Sequence, residues 1–166
     1  MHARGVTDPP PPLLPPHLRD PGDAWVQGPD GARHWGRFGA AGLLVWHPDH
    51  GVLLQHRVSW SHHGSTWGIP GGARKQGESA ADAALREAAE EASVPPQLLD
   101  VLHTHVLDLG YWSYTTVVVR ASEWFAPAMA DAESTALAWV GTARVDSLEL
   151  HPGFGRSWPE LRGFLG

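Results

Sequence analysis

The chain has 166 residues and no cysteine, and its 12 Lys and Arg against 18 Asp and Glu give a formal charge of −6, with 11 histidines besides. That length predicts one domain, and 42% hydrophobic residues suffice for a buried core. The lack of cysteine excludes a disulfide framework, a cysteine zinc site and a cysteine nucleophile. An acidic chain has no general attraction for nucleic acid or an anionic membrane, so phosphates would be met locally, through bound cations. No apolar run approaches the ~18 residues of a membrane span, and the N-terminus lacks the apolar stretch of a signal peptide. A cytoplasmic location follows as an expectation, with no nucleic-acid or membrane partner.

In chain order, residues 1–24 read as a proline-rich arm. Repeated proline over 9–16 (PPPPLLPP) fixes φ and removes donors, which predicts extended polyproline II. Residues 25–166 read as the domain. The runs 42–46 (GLLVW) and 52–58 (VLLQHRV), split by the turn sequence HPDHG, predict a hairpin. A helix is predicted over 79–92, with Ala81, Leu85, Ala88 and Ala92 as its apolar stripe and Pro95 and Pro96 stopping it. Residues 101–109 and 111–120 predict a second strand pair around Gly110, and 137–140 (LAWV) a further strand. A short helix is predicted over 158–165, with Pro159 in its first turn. The fold class is α+β, a mixed sheet covered by helices.

The chemistry concentrates in 72–94 (GARKQGESAADAALREAAEEASV). On a helix Glu87, Glu90 and Glu91 stand at i, i+3 and i+4 and share a face, which the stripe would point away from the core. Like charges on neighbouring turns repel by a few tenths of a kcal/mol per pair. A hard divalent cation such as Mg²⁺ or Mn²⁺, which takes oxygen ligands, turns that liability into a site; a solvated acidic face is the alternative.

Gly72, five residues, Glu78, seven residues, then Arg86-Glu87 and Glu90-Glu91, approached through WGIPGG at 67–72, closely resembles the box motif of the Nudix (MutT-like) hydrolases. Ser93 departs from that pattern, standing where the family has a glycine, and Ala88 is small for its aliphatic position. The resemblance implies a Nudix-type α/β/α sandwich, with the box helix on a central mixed sheet. It implies a pyrophosphohydrolase cleaving a nucleoside diphosphate linked to another moiety by metal-assisted attack of water on phosphorus, with 8-oxo-dGTP or another nucleoside triphosphate as candidate substrate.

Carried onto this sequence, Glu87, Glu90, Glu91 and the carbonyl of Gly72 would hold Mg²⁺ or Mn²⁺. Arg86 and Glu78 would support and orient them. Asp131 or, by preference, Glu133 would be the later-loop carboxylate that serves as ligand or base. Arg57 is a candidate for substrate contact, His62, with His63, for contact to phosphate or base, and Tyr111 and Trp112, with Trp60, for stacking on a base. His103 and His105 read as ordinary surface or core residues. The substrate is a small nucleotide, and a homodimer is left open. The competing reading, a Nudix-fold sensor or interaction domain without catalysis, is disfavoured because every charged box position is kept. An isopentenyl-diphosphate isomerase is closed to a chain without cysteine.

Overall fold

The computed structural model describes residues 20–57, 63–129 and 134–166. Two short strands, β1 (Trp25–Gln27) and β2 (Arg33–Trp35), form an antiparallel hairpin of their own, with Trp25 opposite Trp35. The main sheet is built from β3 (Ala40–His47), β4 (Gly51–Arg57), β5 (Trp67–Gly68), β6 (Gly71–Ala73), β7 (Leu99–Asp108), β8 (Ser113–Ala121) and β9 (Ser134–Val140). Its order is β5-β4-β3-β8-β7, with β6 added to the start of β3 and β9 paired with β4. Helix α1 (Ala80–Ala92) lies between β6 and β7, and α2 (Pro152–Arg162) closes the chain. The sheet is mixed because β3 runs parallel to β8, while the β3–β4 and β7–β8 pairs are antiparallel. The predicted turn at 47–51 ends on Gly51 at φ +86°, a left-handed conformation that favours glycine.

Alternation along the central strands assigns each side chain to one of two cores. Leu43, Val45, Leu53, Val117 and Val119 face α1 and pack on Ala83, Ala84, Ala88 and Ala92. Leu44, Val52, Leu54 and Val118 face the other way, against Phe154, Trp158 and Leu161 of α2. Helix, sheet and helix form three layers, and the small alanines let α1 lie close to β3 and β6.

Two expectations are corrected. The apolar stripe of α1 is rotated: Ala81 is exposed, and the buried set is Ala83, Ala84, Ala88, Glu91 and Ala92. The three glutamates therefore do not share a solvent-facing side. Glu91 is 4% exposed and Glu87 is half-buried, both turned toward β6, while Glu90 alone faces water. The alanines had masked this, because Ala carries little preference for either side of a helix.

The C-terminal helix is the second correction. It begins at Pro152, six residues before the expected start, and ends at Arg162. Pro159 lies inside it and forgoes one backbone bond. Gly153 and Gly155 weaken the helical signal, and burial of Phe154, Trp158 and Leu161, worth ~1.5–3 kcal/mol each, overrides propensity.

Candidate active site

The site begins with the caps of α1. Ser79 accepts a hydrogen bond from the Asp82 N–H at 3.1 Å, as an N-cap should. Ser93 takes the left-handed conformation (φ 55°, ψ 37°) at the other end. It thus supplies the turn expected of glycine, at a strain of roughly 1 kcal/mol, and its hydroxyl donates to the Ala128 carbonyl at 3.2 Å.

Between these caps Arg86 organises the acidic groups. Its Nε and Nη2 donate to the two carboxylate oxygens of Glu78, both at 2.9 Å, and Nη2 also reaches the Ala73 carbonyl at 3.1 Å. Its Nη1 donates to Glu87 at 2.9 Å and, more weakly, to Glu90 at 3.4 Å. One guanidinium thus ties the loop before α1, strand β6 and the helix together, using the planar fork that lysine lacks. Glu78 is fixed from behind as well, since its carboxylate accepts from the Lys75 N–H at 3.1 Å and its carbonyl from Arg74. The Arg86 hydrogen bonds, then the Lys75 N–H, overcome burial and hold the Glu78 carboxyl at about 2, below its usual 4.5. The same pairing with Glu78 raises the Arg86 pKa.

Strand β6 presents main chain to these carboxylates. The Gly71 N–H donates to Glu91 at 2.9 Å. A Cβ on Gly72 would lie 2.7 Å from both Cδ and Oε1 of Glu87, so only glycine lets that carboxylate rest against the strand. Glu87, Glu91, Gly71 and Gly72 stand on the wall of a cavity of about 600 Å³, which Arg57 also lines. The Tyr114 hydroxyl, on the same wall, is raised in pKa by burial first and then by Glu91 and Glu87.

The structure brings Gly72, Glu78, Arg86, Glu87 and Glu91 together, with Arg57 lining the same cavity and the exposed Glu90 reaching Arg86 at 3.4 Å. Trp112 lines the cavity, whereas Tyr111 bonds His34 at 3.2 Å. His62, Trp60, Asp131 and Glu133 lie outside the described residues. The neighbouring His63 does line the cavity and meets His151 edge-on at 4.7 Å. His103 stacks on Phe164 and His105 bonds Glu160 at 3.0 Å, so both are occupied in packing the C-terminal segment against β7. Sequence reasoning missed His34, Tyr114, His151 and Phe154 as cavity residues. No motif marks them, because each arrives through tertiary packing from a different element.

A profile of the NUDIX domain matches residues 36–157. The chain belongs to the Nudix family. Similar proteins include one named "Putative 8-oxo-dGTP diphosphatase 3" from Mycobacterium tuberculosis, 44% identical over 92% of this chain and 74% of its own length. A crystal structure of a Nudix hydrolase from M. smegmatis, RenU, is 46% identical, with a TM-score of 0.77 over 86% of this chain and 94% of that one. A bifunctional NMN adenylyltransferase/ADP ribose pyrophosphatase from Francisella tularensis, complexed with AMP and a Mn ion, shares the fold at 20% identity and a TM-score of 0.62, covering 78% of this chain and 42% of that one. The chain is accordingly a Nudix hydrolase, an enzyme class that acts on phosphoric anhydrides and generally depends on a divalent metal.

Proposed function

We propose that this Nudix hydrolase splits a nucleoside triphosphate into a monophosphate and pyrophosphate, using a Mg²⁺ or Mn²⁺ held at Glu87, Glu91 and the Gly72 carbonyl. The supporting observation is the pair of fixed carboxylates on the cavity wall, Glu87 on Arg86 and Glu91 on the Gly71 N–H. The donor set is all oxygen, as a hard cation requires, and glycine at position 72 keeps its carbonyl and the Glu87 carboxylate close. Among the described residues no three His, Asp or Glu side chains already converge on one point, so the donors are adjacent rather than gathered. Bound there, the cation would offset phosphate charge and acidify water.

The chain's own groups do the rest. Arg86 and Glu78 hold Glu87 in place, a positioning task one step removed from substrate. Arg57 faces the phosphates as a cation. Glu133, which precedes β9 in the sequence, is assigned the proton of the attacking water. The water oxygen bonds to phosphorus, the anhydride P–O bond breaks, and its electron pair leaves on the departing phosphate. The similarity to the M. tuberculosis protein favours 8-oxo-dGTP as substrate.

The test is a panel of 8-oxo-dGTP, canonical nucleoside triphosphates, dinucleoside polyphosphates, ADP-ribose and nucleotide sugars, each with Mg²⁺, Mn²⁺ or chelator. Metal-dependent pyrophosphate release from a triphosphate is expected. No turnover of any triphosphate, or full turnover in excess chelator, refutes the proposal.

A further inference from the structure

Part of the cavity that holds Glu87 and Glu91 is walled by the β1–β2 hairpin, an element that precedes the span matched by the family profile. The hairpin is docked there by specific contacts. The His34 ring stacks on Trp112 with centroids 4.2 Å apart and planes 16° apart. Its Nε2 shares a hydrogen bond with the Tyr111 hydroxyl at 3.2 Å, and Tyr111 packs against Gly28 in the hairpin turn, where a side chain would collide with the phenol. The Gly36 N–H bonds the Ala24 carbonyl and the Arg37 N–H the Gly22 carbonyl, both at 2.9 Å, which closes the hairpin's base. Trp25 and Trp35 meet edge-on at 5.1 Å, and both line the cavity along with His34, Trp112, Leu107 and Leu109.

We infer that the β1–β2 hairpin closes the nucleobase end of the substrate cavity, with the stacked His34–Trp112 pair as the platform for a purine ring. The inference rests on the proposed nucleotide hydrolysis, since it needs a base-bearing substrate whose phosphates lie at Glu87 and Glu91. The wall favours a flat, polarizable group with polar edges: Trp35, His34 and Trp112 offer faces to stack on, beside Asp23, Arg33 and Arg156. Burial first, then the nearby Arg156, lowers the His34 pKa against the pull of Asp30, so the ring that meets the base is neutral at pH 7. Stacking is sequence-tolerant but grows with ring area, so purines are held better than pyrimidines. Phosphate binding and base binding thereby fall to different parts of the chain, the box helix for one and the hairpin for the other. His34 and Trp112 are base-binding residues and take no part in the chemical step.

The experiment measures equilibrium binding of free guanosine and cytidine, without metal, by tryptophan fluorescence, in parallel with steady-state hydrolysis of dGTP. The wild type should bind guanosine more tightly than cytidine. His34→Ala and Trp112→Leu should each weaken guanosine binding and raise KM for dGTP by roughly 5–50-fold, with kcat changed less than about 3-fold. His34→Phe, which keeps a flat ring, should restore most of the affinity. Melting temperature checks that each variant is folded, and because the two residues come from different elements, a collapse of one variant leaves the other to decide. Unchanged KM and guanosine affinity in a folded His34→Ala or Trp112→Leu variant, or equal binding of guanosine and cytidine by the wild type, overturns the inference. If guanosine binds as described but no triphosphate is hydrolysed, the hydrolase reading fails while the base platform stands.

Discussion

Replacing Gly72 by alanine separates the cost of folding from the cost of catalysis. The added Cβ would stand 2.7 Å from Cδ and Oε1 of Glu87 and 3.0 Å from Oε2, and these atoms are the movable end of a side chain rather than backbone. Gly72 has no left-handed φ to lose. The strand can therefore accept alanine if the Glu87 carboxylate swings away and gives up its 2.9 Å bond to Arg86. A hydrogen bond to a charged group is worth ~1.5–3 kcal/mol, and replacing glycine in a strand interior returns roughly 0.5–1 kcal/mol, so the net loss is about 1–2 kcal/mol. At ~2–4 °C per kcal/mol for a domain of this size, Tm should fall by less than ~8 °C. A carboxylate displaced by about 1 Å or more from its working position costs ~10²-fold in rate. Gly72→Ala should thus remain folded by circular dichroism and calorimetry, while kcat/KM for pyrophosphate release drops at least a hundredfold. A variant with kcat/KM within threefold of wild type would refute the role given to the Gly72–Glu87 contact.

Five further outcomes are expected. Glu91→Gln keeps the size and the Gly71 N–H bond but removes the charge; kcat should fall ~10²–10⁴-fold while Tm holds or rises, because a buried carboxylate has been neutralised. Arg86→Lys cannot reproduce the fork on Glu78 and should lower Tm by several degrees and kcat/KM by ~10-fold or more, measured by calorimetry and steady-state kinetics. Because Glu78 ionises more easily folded than unfolded, its contribution to stability is present above pH 4.5 and is lost as pH falls toward about 2. Urea titrations at pH 6 and pH 3 should show this loss in the wild type and a shallower one in Glu78→Gln. Chelation should abolish turnover with little change in the far-ultraviolet spectrum, and Glu133→Gln should lower kcat while keeping the metal requirement, read from Mg²⁺ titrations of initial rate.

What could be read in the sequence was what short-range chemistry dictates. The hairpin at 42–58, the β7–β8 pair and the box helix announce themselves through β-branched runs, a turn sequence and the prolines that stop the helix, all of which act within a few residues. The rotation of α1 was hidden because its packing face is alanine and its outer face is also partly alanine, so periodicity could not tell Ala81 from Ala84. The start of α2 was hidden because Gly153 and Gly155 are poor helix formers and only burial of Phe154 and Trp158 makes a helix there. The spacing of the box residues placed Gly72, Glu78, Arg86, Glu87 and Glu91 in one neighbourhood. It could not say that Glu91 is buried on a backbone amide, nor that β1 and β2, three residues each, line the same cavity. Those contacts join segments far apart in the chain, and no local preference encodes them.

The central strand has a consequence for how the molecule comes apart. From Ala40 to Val45 every residue of β3 is buried, and successive side chains belong to opposite cores, Leu43 and Val45 to one and Leu44 to the other. Neither layer can loosen without uncovering the back of the strand that supports the other, so opening on one side propagates at once to the second. The amides of 43–45 should then exchange with deuterium only through global unfolding, and the box helix should show no partial melting of its own before the sheet dissolves. A destabilising change under α2, such as Trp158→Ala, would therefore be felt on the far side of the sheet as a shared loss of protection.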